Sequence, residues 1–166
     1  MNLTADRAGA ILGRMRPYYC KPSDNKNEQE VLGALVSRLN RDSIKFNQGR
    51  TYSAKLTGSQ QHAHYDGELF VNGKLFALVE IKCRKGSSER YADWHMAQHK
   101  IQRNRAAAAA KGVPLFLVYR WDDGVFMADA SKLDLSRTHI GGRTDRNDPY
   151  DQEVMVLMNS KSFNRV

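Results

Sequence analysis

Asn72-Gly73, set between two apolar runs, is the feature that most constrains how this chain can fold. The runs, Leu69 to Val71 and Leu75 to Ile81, are rich in Val, Ile, Leu and Phe, and an Asn-Gly step between such runs predicts two antiparallel strands joined by a tight turn. Charges then stand where a buried sheet should not want them. Asp66 opens the first strand, and Glu80 and Lys82 close the second.

Glu80 and Lys82 lie two residues apart, so on a strand they share a face with Leu78, while Val79, Ile81 and Cys83 take the other. Whether Asp66 joins them is a question of register. A two-residue turn at Asn72-Gly73 pairs Asp66 with Val79 and points it away from Glu80. A three-residue loop, Val71-Asn72-Gly73, pairs it with Leu78 and puts all three charges on one face. Convergence therefore requires an odd loop or a bulge. Two carboxylates and an ammonium at a sheet end suit a divalent-cation phosphodiesterase. Carboxylate oxygens hold Mg²⁺, and the ion activates water and neutralises charge on the phosphate. The plain alternative is a solvated strand end carrying a Glu/Lys pair.

Asp66, Glu80 and Lys82, with Tyr65 in the place of the name's Pro, resemble the signature of the PD-(D/E)XK, or restriction-endonuclease-like, nuclease superfamily. The resemblance covers roughly residues 27 to 121. It implies an α/β fold with a mixed central β-sheet flanked by helices, a core of order αβββαβ, and here an extra N-terminal helix and extra C-terminal strands. It implies a Mg²⁺-dependent nuclease, with Mn²⁺ able to substitute, that hydrolyses DNA phosphodiester bonds endonucleolytically. Asp66, Glu80 and the Ile81 backbone carbonyl would be metal ligands, and Lys82 would orient the attacking water or stabilise the phosphate. An acidic residue at the start of the first helix often reaches the metal in this superfamily, and Glu28 fits that place better than Glu30. Gln98 falls 16 residues after Lys82, as the Gln of a Gln-x-x-x-Tyr motif does in the RecB/Cas4-like branch. The Tyr place is Gln102, so the match to that branch is partial.

The chain's 166 residues suit a single domain over residues 27–166, with residues 1–26 as a basic helical appendage capped by Thr4 and stopped by Pro17. A formal charge of +8 favours an anionic partner, nucleic acid first. Two cysteines without a CxxC argue against a zinc module and against a disulfide framework. No apolar run of membrane-spanning length and no signal peptide is evident, so a cytoplasmic protein with no membrane partner is expected.

Along the chain, Asn27 to Asn40 reads as an amphipathic helix with Val31, Leu32, Leu35, Val36 and Leu39 on one stripe. The first strand is Ile44 to Asn47 or Thr51 to Leu56. Arg84 and Lys85 form a basic turn beside the site, suited to backbone phosphates. A second helix is expected from Glu89 to Lys111, with Tyr91, Trp94, Gln98, Ile101 and Arg105 on one side and Lys100, Arg103 and Arg105 adding charge for nucleic acid. Val113 to Trp121 reads as a central strand parallel to its neighbour. Asp122-Asp123-Gly124 reads as a turn into a strand over Val125 to Ala128. Ser136 to Gln152 reads as a polar loop, and Glu153 to Met158 as a last strand of the sheet. A non-catalytic nucleic-acid-binding module and an RNA-cleaving enzyme are the competing functions. Cutting both strands with one-site subunits takes a symmetric pair, so a homodimer is expected.

Overall fold

The stripe over Val31, Leu32 and Leu35 buries against a sheet, as its spacing requires. A computed structural model describes residues 22–57, 65–142 and 152–166. The N-terminal segment read as an appendage helix, Ala5 to Met15, lies outside these residues. Helix α1 runs over Pro22–Lys45, longer than expected at both ends. Its last turns are tied down by side chains. Asn40 exchanges two hydrogen bonds with the Tyr52 backbone, at 2.7 and 3.0 Å, and the Ser43 hydroxyl donates to Arg50 O at 2.7 Å. The helix absorbs Ile44 and Lys45, which removes the first of the two strands considered. Left-handed residues Asn47 (φ 48°) and Gly49 (φ 62°) then turn the chain into β1, Tyr52–Leu56.

Strands β2 (Gly67–Val71) and β3 (Lys74–Cys83) form the expected hairpin. Asn72 (φ 49°) and Gly73 (φ 78°) make a two-residue turn with positive φ at both positions. Pairing starts at Val71↔Lys74 and Phe70↔Leu75, then slips to Leu69↔Ala77, so Phe76 is an extra residue. This bulge decides the register. Gly67 pairs with Val79, and one step further sets Asp66 opposite Glu80.

The second helix begins later than expected. Residues Ser88–Arg90 form one 3-10 turn, β4 covers Asp93–Ala97, and only then does α2 run, over Gln98–Ala110. Trp94 and Met96 are buried and His95 between them is exposed, a period of two that a partner strand can use. The shared helical side drawn through Tyr91, Trp94 and Gln98 is therefore not formed. β5 (Leu115–Trp121) lies parallel to β3, and Asp122-Asp123 turns into β6 (Gly124–Asp129).

The expected polar loop contains β7 (Thr138–Gly142), and residues 143–151 of it lie outside the description. β8 (Gln152–Asn159) does not join the main sheet. It pairs antiparallel with β4 and β7 in a second sheet of order β4-β8-β7. The main sheet has the order β1-β2-β3-β5-β6-β9, with β9 at Asn164–Arg165. The protein thus has a mixed α/β fold, with a central mixed sheet, two helices and a smaller second sheet. One face of the main sheet packs Leu69, Val79 and Val118 against α1. The other packs Leu78, Leu117 and Tyr119 against α2 and against Trp94, Val156 and Met158 of the second sheet. No described helix is long and apolar enough to cross a membrane.

Candidate active site

Glu80 stands in the middle of that second face with 2% of its surface exposed. Its neighbours along the strand face are Leu78, fully buried, and Lys82, partly exposed. A carboxylate so placed needs partners. Helix α2 supplies two from positions four apart, which fall on one side of a helix. Asn104 Nδ2 donates to Glu80 Oε2 at 2.7 Å, and Lys100 Nζ lies 3.3 Å from Oε1. Asn104 is fully buried, and its Oδ1 has no hydrogen-bond partner among the described residues.

Asp66 arrives from the other side of the hairpin. β2 pairing ends at Gly67, and Ile81 N–H, which would have met a backbone carbonyl, donates instead to Asp66 Oδ2 at 2.7 Å. Strand geometry points the Ile81 carbonyl to the same edge as its N–H. Asp66 and Glu80 stand close enough for each carboxyl to affect the other's protonation. Burial, before any charge effect, pushes both upward from the ordinary carboxylate range; for Glu80 the Asp66 charge adds to it.

Glu28 comes from the second turn of α1. Gly67 lets that helix approach, since a Cβ there would stand 2.9 Å from Leu32 Cδ1. Burial and then the charges of Asp66 and Glu80 raise the Glu28 carboxyl to about 7. Glu30 points elsewhere and pairs with Arg120 at 3.1 Å on the surface.

Lys82 sits beside these acids with its pKa lowered, first by burial and then by the charges of Arg84 and Lys100. Lys100 is held the other way, its charge favoured by Glu80 first of all. Sequence reading set Lys100 among the nucleic-acid contacts, but its ammonium is turned to the carboxylate. Arg84 Nη2 lies 3.2 Å from His95 Nε2. Lys85, Arg103 and Arg105 are exposed. Gln98 is the first residue of α2, partly exposed, and makes no hydrogen bond to the carboxylates among the described residues. Asp122 and Asp123 serve the neighbouring loop. Asp122 accepts from Gly86 N–H at 2.6 Å, and Asp123 accepts from the Ser88 hydroxyl at 2.7 Å.

The arrangement brings together Asp66, Glu80, Lys82 and Glu28, and adds Lys100 and Asn104, which sequence reading missed as carboxylate partners. Their signal was the i, i+4 spacing, hidden because the helix was started nine residues too early. Among the described residues, no three His, Cys, Asp or Glu side chains stand ready as a ligand cluster. The two facing carboxyls offer hard oxygen donors of the kind Mg²⁺ and Mn²⁺ take. Burial raises their affinity for a proton, and a cation on the same oxygens would compete with that proton.

The model of a family described as "Phage putative PDDEXK endonuclease" matches residues 14–166. A search of curated proteins found no match. Among solved structures, the chain is similar to D212, a nuclease from a fusselovirus, at 15% identity and a TM-score of 0.53, covering 90% of each chain. It is also similar to Hjc, a Holliday junction resolvase from Archaeoglobus fulgidus, at 12% identity and a TM-score of 0.40, covering 73% of this chain and 82% of that one.

Proposed function

The chain belongs to the phage PDDEXK endonuclease family, and from that premise we propose that it hydrolyses DNA phosphodiester bonds internally, using a divalent cation held by Asp66 and Glu80. The observation that carries the proposal is the bulge at Phe76. It places the buried Glu80 carboxyl and the partly buried Asp66 carboxyl on one face, beside two lysines, at a cost in desolvation that a plain binding surface has no reason to bear. The residues fit Mg²⁺, with Mn²⁺ as a substitute, and Glu28 and the Ile81 carbonyl are the further oxygens nearby. When bound, such an ion acts as a Lewis acid toward the phosphate and lowers the pKa of water.

The chain's own groups do the rest. Lys82 stands on the solvent side of Glu80, where its Nζ can orient the attacking water or meet charge developing on the phosphate. Its lowered pKa makes it the better of the two lysines for moving a proton. Lys100 keeps its proton and holds Glu80 in place. Asn104 fixes the other Glu80 oxygen. Arg84 and Lys85 lie where the strand leaves the sheet and suit flanking phosphates, with Arg103 and Arg105 on the exposed side of α2. Gln98 is kept as a substrate-positioning group at the helix start. A homodimer would let two such sites cut opposite strands.

The test is incubation with plasmid, linear, single-stranded and four-way-junction DNA, and with RNA, in Mg²⁺, Mn²⁺ or EDTA. Nicked or linearised plasmid in Mg²⁺ or Mn²⁺, none in EDTA and none with Glu80→Gln, is the expected result. Binding without turnover on every substrate would give the site to a nucleic-acid-binding module. Preference for RNA would correct the substrate. Sedimentation with and without DNA checks the dimer.

A further inference from the structure

The second sheet has two faces of different character. Its register pairs His95 with Leu157 and His139 with Met155, so the odd-numbered residues of β4, β7 and β8 share one side. The even side carries Trp94, Met96, Val156 and Met158 into the core. On the odd side, His95 and His139 reach over β8 and meet edge to face, ring centroids 5.8 Å apart. Gly141 leaves room for this, since a Cβ there would stand 3.0 Å from His139 Nε2. His139 Nδ1 is enclosed without a hydrogen-bond partner among the described residues. Glu153, also on the odd side, lies 3.4 Å from His99 Nδ1 on α2, next to Lys100, so this face turns toward the carboxylate site.

Arg84 joins the two. It has the same strand parity as Lys82 and lies about 7 Å further along. One of its N–H groups reaches His95 Nε2, which makes that nitrogen the acceptor and leaves Nδ1–H as a donor. The guanidinium has no carboxylate within ion-pair distance among the described residues. A partly buried arginine without an ion-pair partner among the described residues and an imidazole donor, two residues along the strand from Lys82, form a site for an anion.

We propose that Arg84 and His95, with His139 packed behind His95, form a subsite for one nucleic-acid phosphodiester, next to the phosphate held at Glu80 and Lys82. The subsite rests on the nuclease reading for its neighbour, but not for its own chemistry. Arg84 offers the planar donor fork that suits phosphate oxygens, and the spacing from Lys82 is of the order that separates successive phosphates of one strand. His139 is a positioning residue that limits where the His95 ring can stand.

The experiment is fluorescence anisotropy with a labelled duplex and a labelled single strand in Ca²⁺, beside cleavage of the same oligonucleotides in Mg²⁺. Arg84→Ala and His95→Ala should each weaken binding by about 5- to 20-fold. The double variant should lose less than the product of the two, because the groups share one phosphate. His139→Ala should weaken binding and His139→Phe, which keeps a ring against His95, should restore most of it. Lys74→Ala, at the far hairpin turn, should bind as the parent does. Circular dichroism confirms folding, and His95→Asn gives a second variant should His95→Ala not fold. Parent-like binding by the Arg84 and His95 variants, or fully multiplicative losses, would overturn the subsite. A parent that cuts while these variants bind normally sinks only the subsite. A parent that never cuts while the variants lose binding sinks only the nuclease reading.

Discussion

Asn104 Nδ2 donates to Glu80 Oε2 over 2.7 Å, with both side chains shut away from solvent. Removing the amide leaves a buried carboxyl oxygen without its donor. Asn104→Ala should therefore lower stability by about 1–3 kcal/mol, read by chemical denaturation at pH 7. The cleavage rate should fall with it, because Glu80 loses one of the two contacts that orient it. Unchanged stability would mean that water replaces the amide at no cost.

Lys82→Ala separates catalysis from binding. Binding sums several phosphate contacts, of which one lysine is about one unit of salt slope. Loss of a group acting on water or phosphate charge costs on the order of 10²-fold or more in rate. Rates and affinities on one substrate at fixed salt decide the matter. A variant that cuts as fast as the parent would reduce Glu80-Ile81-Lys82 to a strand end.

Stability should depend on pH in an unusual direction. Glu28 is raised from 4.5 to about 7, and Asp66 and Glu80 are also raised. Between the unfolded and folded values the native state holds more protons, so stability from these groups is present below about 4.5 and is lost as pH rises toward 7. Without divalent cation, melting temperature should fall across that window. Added Mg²⁺ should raise it more at pH 8 than at pH 5, where protons compete for the same oxygens. Equal shifts at both pH values would argue against a cation on these acids.

Gly67 and Leu32 should be coupled. A Cβ at Gly67 meets Leu32 Cδ1 at 2.9 Å, and Leu32 is itself 3% exposed, so the side chain has little room to move. Gly67→Ala should destabilise by about 1–3 kcal/mol through overpacking. Adding Leu32→Ala should cost less than the sum of the two single changes, measured by denaturation in a double-mutant cycle. Full additivity would mean that the helix shifts as a body.

The hairpin, the α1 stripe and the central strand over Leu115–Trp121 were legible in the residues, because each is specified by local turn chemistry or by a period its own side chains carry. The same holds for Asp66, Glu80 and Lys82 as charges out of place in apolar strands. The bulge at Phe76 was not legible as such; only the need for it was, since one residue of slip costs nothing in the local pattern and everything in which face Asp66 takes. Asp93–Ala97 was misread as helix because the Ala-rich run beyond it spreads a helical signal backward. Its strand state depends on β8, some sixty residues later in the chain. From that one decision follow the start of α2 at Gln98, the arrival of Lys100 and Asn104 at Glu80, and the wall carrying His95 and His139. Long-range strand pairing, which no local window contains, decided them.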